Sequence, residues 1–409
     1  MNYINRHMEE IVLKLSNEYS AILVTGPRQV GKTTMLKHLI EKEGKGRAVV
    51  SLDDFTERNI AKKDPAMFFQ LHKPPIFIDE VQYAPELFSY IKMHIDEYQN
   101  PGDFWMTGSQ IFSMIKGVQE SLAGRVALLH LSPLSNREIS GIASWPFSID
   151  FDRLVTDATA IKPVTTPQMF QKIWEGSMPG IVSGRFTDRN IYYSSYLSTY
   201  LERDVRELSN AIDSLKFLNF ITSAAARTGQ MVNYSSLAED ANIDQTTAKN
   251  WLNILETLGI IFYLHPYSNN TLKRTVKTPK LYFYDTGFVC YLTKWSSPET
   301  AMYGAMSGAL LENYAVTEII KSYQNNAKTP YIYYYRNKDA KEIDLILEND
   351  GTLCPIEIKK TAMPEKRITR VFDLIDKSPL LRGPGGVLCM ASSLSAFDQN
   401  NYIIPIWLI

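Results

Sequence analysis

The stretch Ala21-Ile-Leu-Val-Thr-Gly26-Pro-Arg-Gln-Val-Gly31-Lys-Thr-Thr-Met35 decides the fold of the first domain. Its first five residues are an apolar run of buried-strand length, and from Met35 to Ile40 the apolar spacing becomes helical. The residues between them fit G-x-x-x-x-G-K-[ST]. Gly26, Pro27, Arg28, Gln29, Val30, Gly31, Lys32, Thr33 and Thr34 are therefore expected to wrap a polyphosphate. Glycines let backbone N–H groups turn inward, and the following helix adds its positive end. Lys32 would reach the β/γ oxygens and Thr33 would offer its hydroxyl to magnesium. Placement between a strand and a helix gives the match its weight.

Such a site needs a carboxylate held rigidly opposite the loop, at the end of another buried strand. Pro75 to Glu80 (PIFIDE) supplies one. Asp79 is expected on the magnesium side and Glu80 as base for the attacking water. Read alone, IFIDE is also a strand with a solvated acidic end; the upstream loop decides between the two. A third run, Asp103 to Met106, leads into Thr107-Gly-Ser-Gln110, where Ser109 fits a γ-phosphate sensor with Thr107 behind it. Ser109 fits a helix N-cap equally well. Glu120-Ser-Leu-Ala-Gly-Arg125 reads as the close of a helix. Arg125 either projects toward a neighbouring subunit's nucleotide, stabilising phosphoryl transfer, or caps a helix on the surface.

GPRQVGKTT, SLDD, IFIDEVQ, TGSQ and ESLAGR, in that order, resemble the AAA-type P-loop ATPases of bacteria and archaea that carry a C-terminal domain of unknown function. SYLSTYLERDV, KTPKLYFYDTG and EIDLIL with PIEIKK look like that second domain, so the resemblance covers essentially the whole chain. It implies a parallel sheet with the phosphate loop after the first strand, ATP hydrolysis, and ring or homo-oligomer formation.

Beyond the first domain, 409 residues allow about three domains at roughly 150 each. With 45% hydrophobic and 21% charged residues, a disordered or collagen-like chain is excluded. Lys+Arg number 43 against 44 Asp+Glu, so any nucleic-acid partner must be met by a local patch. Three cysteines are too few and too scattered for a disulfide framework or a zinc cluster. The start MNYINRHMEEI lacks an apolar signal core, and nowhere do eighteen apolar residues run together, so a cytoplasmic protein without membrane contact is expected.

Residues 144–166 lose clear periodicity and hold Pro146 and Pro163, which marks a boundary. Ile191 to Leu208 then reads as a helix with a core stripe of Tyr193, Tyr196, Leu197, Tyr200 and Leu201. Its Arg203 and Arg206 are read as solvated, with a nucleotide-sensing lid as the other reading. Ser236-x-x-Glu239 is read as a capping box, and Asp244 as the cap of a helix running to Leu258 and ended by Gly259. Ala248, Trp251, Leu252, Leu255 and Leu258 would face the core. Thr246, Lys249, Asn250 and Asn253 would face outward with residue types suited to a DNA groove. Ile260 to Leu264 and a return strand bearing Lys273, Arg274, Lys277 and Lys280 complete a winged helix with a basic wing. A protein-docking winged helix is the competing reading.

Tyr331–Tyr335, Glu342–Leu347 and Leu353–Lys359 read as a three-strand meander. A type I′ turn at Asp350-Gly351 pairs residues 349 and 352 and places Asp344 opposite Glu357; a turn one residue earlier leaves the two diagonal on the same face. Lys359 shares that face. Two carboxylates and a lysine can bind Mg²⁺ or Mn²⁺ and activate water. The pattern resembles the PD-(D/E)XK nuclease fold, and that resemblance implies a third ligand, Glu312, on the preceding helix. Ile343 stands where that pattern has proline.

The expected architecture is α/β: a parallel-sheet P-loop core (1–140), a helical lid (141–210), a winged helix (211–285) and a restriction-endonuclease-like domain (286–409). The expected function is ATP hydrolysis coupled to binding of DNA, with metal-dependent cleavage by the last domain left open by the sequence. The alternative is an ATP-driven switch that docks a protein through the winged helix and carries a silent nuclease-like domain.

Overall fold

Successive residues of the first strand feed two different cores. Ile22 and Val24 pack with Met8, Val12, Met35 and Leu39, whereas Ala21 and Leu23 pack with Phe68, Leu87, Phe88 and Ile91. A strand buried on both faces belongs inside a parallel sheet covered by helices on each side. The structure, a computed structural model, describes residues 3–44, 46–108, 122–201, 205, 213–268, 278–376 and 378–409, save the side chains of Tyr200 and Leu201. Its first sheet consists of β1 (Ala21–Thr25), β2 (Ala48–Ser51), β3 (Ile76–Asp79), β4 (Phe104–Thr107) and β5 (Val126–His130). The order is β2-β3-β4-β1-β5 and every neighbouring pair is parallel. β4 thus separates the phosphate-loop strand from the strand that ends in Asp79.

The middle of the chain is helical. Phe151–Ala160 is capped by Asp150, and Thr166–Glu175 opens on a capping box between Thr165 and Gln168. Arg189–Ser195 continues into a π-type turn over Tyr196–Leu201, with Tyr193, Tyr196 and Leu197 buried. Arg203 and Arg206 lie outside the described residues.

Three helices (Ser214–Ala226, Tyr234–Ala241, Gln245–Thr257) then precede an antiparallel pair, β6 (Ile261–Leu264) and β7 (Lys280–Phe283). Asp244 caps the third helix, and Gly259 follows its end at φ +69°. The second helix is capped by Asn233, whose side chain accepts from the Ser236 amide, so Ser236 lies within the helix and the expected box is displaced by one turn. Lys280 corrects the sequence reading further. It is buried rather than part of a basic wing, since its ammonium is paired with Glu312 at 3.0 Å and Glu342 at 2.5 Å.

The last sheet contains β8 (Ile332–Arg336), β9 (Glu342–Asn349), β10 (Thr352–Lys359), β11 (Leu381–Arg382), β12 (Gly385–Cys389), β13 (Ser395–Asp398) and β14 (Asn401–Pro405). Its order is β13-β14-β12-β10-β9-β8, with β11 beside β10. β8, β9 and β10 form the antiparallel meander, while β12 runs parallel to β10. The long helix Ser307–Gln324 ties this sheet to the preceding hairpin. Asn313 on it both donates to the Phe283 carbonyl and accepts from the Phe283 amide, imitating a strand partner for β7. Among the described residues no helix is long and apolar enough to cross a membrane.

The apolar cluster under β1 continues without a break into the middle helices and the C-terminal sheet. Buried polar contacts cross the same seam. Arg6 donates to Glu138 (2.9 Å), to the Val30 carbonyl (2.7 Å) and to the Ser132 carbonyl (2.7 Å). The Asn136 amide donates to Glu318 (2.7 Å), and Lys321 to the Leu134 carbonyl (2.9 Å). Arg6 and Glu138 are both buried, and the neighbouring guanidinium holds the Glu138 carboxyl below its ordinary range although burial pushes the other way. Removing one partner of such a pair strands a buried charge, at a cost of about 3–5 kcal/mol. Arg6→Ala is therefore expected to shift urea unfolding by that amount, and Arg6→Met/Glu138→Gln to recover most of it. A loss under about 1 kcal/mol in the single variant would show that the pair does not hold the seam.

Candidate functional site

The loop after β1 has the backbone its sequence demands. Gly26 lies at φ +137°, where an added Cβ would sit 2.1 Å from the Leu131 carbonyl oxygen. Gln29 and Gly31 also have positive φ, and the helix Lys32–Glu43 starts directly after Gly31. Lys32 is buried, with its ammonium on the carbonyls of Gly26 (2.9 Å) and Pro27 (2.8 Å). Thr33 donates to Asp79 Oδ1 at 2.6 Å, and Thr34 is exposed on the helix's first turn. Arg28 reaches the Tyr83 hydroxyl at 3.2 Å.

Asp79 ends β3 on the far side of β4, and Thr107 ends β4 between them. The Thr107 hydroxyl donates to Asp79 Oδ1 at 2.5 Å and accepts from the Glu80 amide at 3.2 Å. Burial pushes the Asp79 carboxyl up, against the hydrogen bonds from Thr107 and Thr33. Glu80 stands at φ +57°, which turns the chain sharply after the strand, and its carboxylate accepts from the Gln82 amide group. A hydroxyl and a carboxylate 2.6 Å apart at the mouth of a phosphate loop are oxygen donors that fit magnesium beside a polyphosphate.

Ser109 lies outside the described residues. Arg125 is on the surface, paired with Asp96 of the helix Leu87–Tyr98 through Nε at 2.5 Å and Nη2 at 3.1 Å. Sequence reasoning gave no role to His130, which ends β5. Burial and the nearby Lys32 charge pull its imidazole down to about 4, so it stays neutral beside the loop. It also missed Arg6, whose bond to the Val30 carbonyl braces the loop from behind.

On the helix Gln245–Thr257 the two faces divide as the spacing indicates. Thr246, Lys249, Asn250 and Asn253 are exposed, while Ala248, Trp251, Leu252 and Leu255 are buried. Lys273, Arg274 and Lys277 lie outside the described residues.

In the last sheet Asn349 pairs with Thr352, and Asp350 and Gly351 both have positive φ, the geometry of a type I′ turn. That register sets Asp344 across from Glu357: the Asp344 amide donates to Glu357 Oε1 at 3.3 Å. Lys359 bridges the pair, 2.9 Å from Asp344 and 2.6 Å from Glu357. Burial, then the Asp344 charge, pushes the Glu357 carboxyl up to about 7. Glu312 departs from the expectation. Its Oε1 takes the Lys280 ammonium at 3.0 Å and the Tyr282 hydroxyl at 2.6 Å. Among the described residues no three His, Cys, Asp or Glu side chains are grouped to hold a metal ion, so Glu312, Asp344 and Glu357 are not assembled as a ligand set.

Residues 18–140 match the family described as "AAA domain". Residues 166–299 and 307–409 match two families each described as a domain of unknown function (DUF8612 and DUF4143). Uncharacterized proteins of Mycobacterium tuberculosis and Mycobacterium bovis are each 29% identical over 345 residues, 84% of this chain and 71% of theirs. Among solved structures, a Walker-type ATPase of Pyrococcus abyssi aligns at TM-score 0.44 and 15% identity, covering 71% of this chain and 96% of that one. The RuvB Holliday junction branch migration motor of Thermotoga maritima aligns at TM-score 0.32 and 16% identity, over 63% of this chain and 89% of that one. The family match over residues 18–140, the all-parallel strand order and the phosphate loop agree in likening the N-terminal part of this chain to an AAA domain.

Proposed function

We propose that this protein binds and hydrolyses ATP and couples its nucleotide state to DNA held by the helix Gln245–Thr257. The observation that carries the reading is the convergence of Lys32, Thr33, Asp79 and Glu80 at the ends of β1 and β3, with Thr107 fastening the last two. The loop amides and Lys32 would take the β- and γ-phosphate oxygens of ATP. Thr33 and Asp79 would hold Mg²⁺, which neutralises charge on those oxygens when bound. Glu80 would take a proton from the attacking water as the bond from the γ-phosphorus to the bridging oxygen breaks and ADP leaves. Arg125 would supply a cation to a neighbouring copy's nucleotide once released from Asp96.

Two contacts support the coupling. A Cβ on Gly259, at the end of the outward helix, would lie 2.9 Å from Pro27 Cγ of the phosphate loop. Arg6 links the Val30 carbonyl to Ser132, whose hydroxyl donates to Gln324 of the long C-terminal helix. A loop that rearranges around phosphate therefore pushes on both parts. In this reading the nuclease-like sheet is silent, because Lys359 pairs with both Asp344 and Glu357 and Glu312 is spent on Lys280. One observation favours the second reading, a protein-docking helix: its exposed face carries a single cation, Lys249.

Lys32→Ala is expected to abolish nucleotide binding and turnover, and Glu80→Gln to keep binding while slowing phosphate release by about a hundredfold or more. Unchanged turnover in Lys32→Ala, followed by phosphate release, ends the ATPase reading. Lys249→Ala should weaken duplex binding across sequences and lower the salt slope by about one; absence of duplex binding even at low salt selects the protein-docking reading. Plasmid with Mn²⁺ should stay supercoiled for the wild type and for Asp344→Ala alike. Nicking by the wild type that Asp344→Ala abolishes would overturn the silent assignment.

A further inference from the structure

A cavity of about 560 Å³ opens between the middle helices and the helix Ser307–Gln324, away from the phosphate loop. Its size suits an organic ligand of some twenty to thirty atoms rather than a few waters; ligand pockets run from about 300 to 1,000 Å³. Part of its wall is apolar, from Trp174, Ile181, Val182 and Phe186.

The charged side chains on its lining sum to one positive charge, with the buried Asp285 carboxylate lying behind the wall at Ser177. Glu318 is satisfied internally by the Asn136 amide at 2.7 Å and by Lys321 at 2.8 Å. Lys321 spends its other two donors on the Leu134 carbonyl and the Ser177 hydroxyl. That leaves Lys172 and Arg189 against Glu175, an excess of one positive charge on the lining. Lys172 has one hydrogen bond, to Asn136 Oδ1 at 2.6 Å, and burial pulls its ammonium down. The Arg189 guanidinium lies 4.0 Å from the centre of the Trp174 ring and donates to the Gly287 carbonyl. Among the described residues its buried Nε has no hydrogen-bond partner, and neither has the hydroxyl of Tyr314 on the facing helix. Lys172, with one of its three ammonium donors used, keeps donors for the cavity, and what completes them is an acceptor with negative charge.

We infer that this cavity is a binding site for an amphipathic organic monoanion, with an aromatic or branched apolar body against Trp174, Val182 and Phe186 and its anionic group against Lys172 and Arg189. No residue of the proposed nucleotide site takes part, so the inference stands apart from the ATPase reading. The walls come from the middle helices, the segment after β7 and the long C-terminal helix, and Asn136 carries the contact onward to the ATPase core. An occupant would therefore clamp the three parts together.

Two dyes test it on the full chain: anilinonaphthalene sulfonate, and phenylnaphthylamine, the same body without the anion. Titration followed by fluorescence should saturate at one sulfonate dye per chain, bound about tenfold more tightly than the neutral dye, a difference of about 1.4 kcal/mol. Lys172→Met should erase that preference while leaving the neutral dye unchanged, and Val182→Trp, which fills the cavity, should displace both. Equal affinity for the two dyes in the wild type, or a preference that survives Lys172→Met, overturns the proposal. Should Val182→Trp fail to fold, as a melting curve would reveal, the ratio of the two dyes in Lys172→Met still decides.

Discussion

The buried guanidinium of Arg6 is the interaction on which the arrangement of the parts depends. It carries one charge into the seam and meets one carboxylate, Glu138, together with two carbonyls, Val30 in the phosphate loop and Ser132 after β5. A buried ion pair is weak evidence of net stabilisation, because desolvating both partners offsets their attraction. What it provides here is geometry. The segment from Ser132 to Glu138 cannot shift without stranding a charge, and the same segment holds Glu318 and Lys321 of the C-terminal helix. The phosphate loop and the last domain are thereby fixed to one short piece of chain.

How much was legible in the sequence follows from how local each constraint is. The phosphate loop was legible because its backbone admits few residues: Gly26 and Gly31 stand where a side chain would clash or strain. The pairing of Asp344 with Glu357 was legible for the same reason, since a two-residue turn with positive φ at both positions fixes every pair counted from it. The faces of the helix Gln245–Thr257 followed from its period and its Asp244 cap. The cap at Asn233 was not read from the sequence, because the Ser236-x-x-Glu239 spacing pointed one turn further on, to a residue that lies inside the helix.

Long-range charge partners were not legible at all. Nothing in the opening residues marks Arg6, and Lys280 looked like one more cation on a basic strand. Its burial depends on Glu312 and Glu342, which come from a helix and a strand far along the chain. Once Lys280 is placed, the departure of Glu312 follows: a carboxylate pushed up by burial gains more from an adjacent ammonium and a tyrosine hydroxyl than from two further carboxylates. The near-neutral total charge is thus partly internal, with Lys280 and Lys359 spent on acids of the long helix and the last sheet.

The proposed coupling runs through the phosphate loop. In the state described, Lys32 donates to the carbonyls of Gly26 and Pro27, which are its own loop. If a polyphosphate drew the Lys32 ammonium away from those carbonyls, as the proposed nucleotide binding allows, the segment Gly26–Pro27 would exchange those hydrogen bonds. Pro27 is also the residue against which Gly259 closes, at a distance that leaves no room for a side chain. Packed interiors respond to such a change by moving to a second discrete arrangement rather than by stretching. The helix Gln245–Thr257 ends two residues before Gly259, with Leu258 as its C-cap, so in the proposed coupling a displacement at Pro27 would reach it through Gly259 and Leu258.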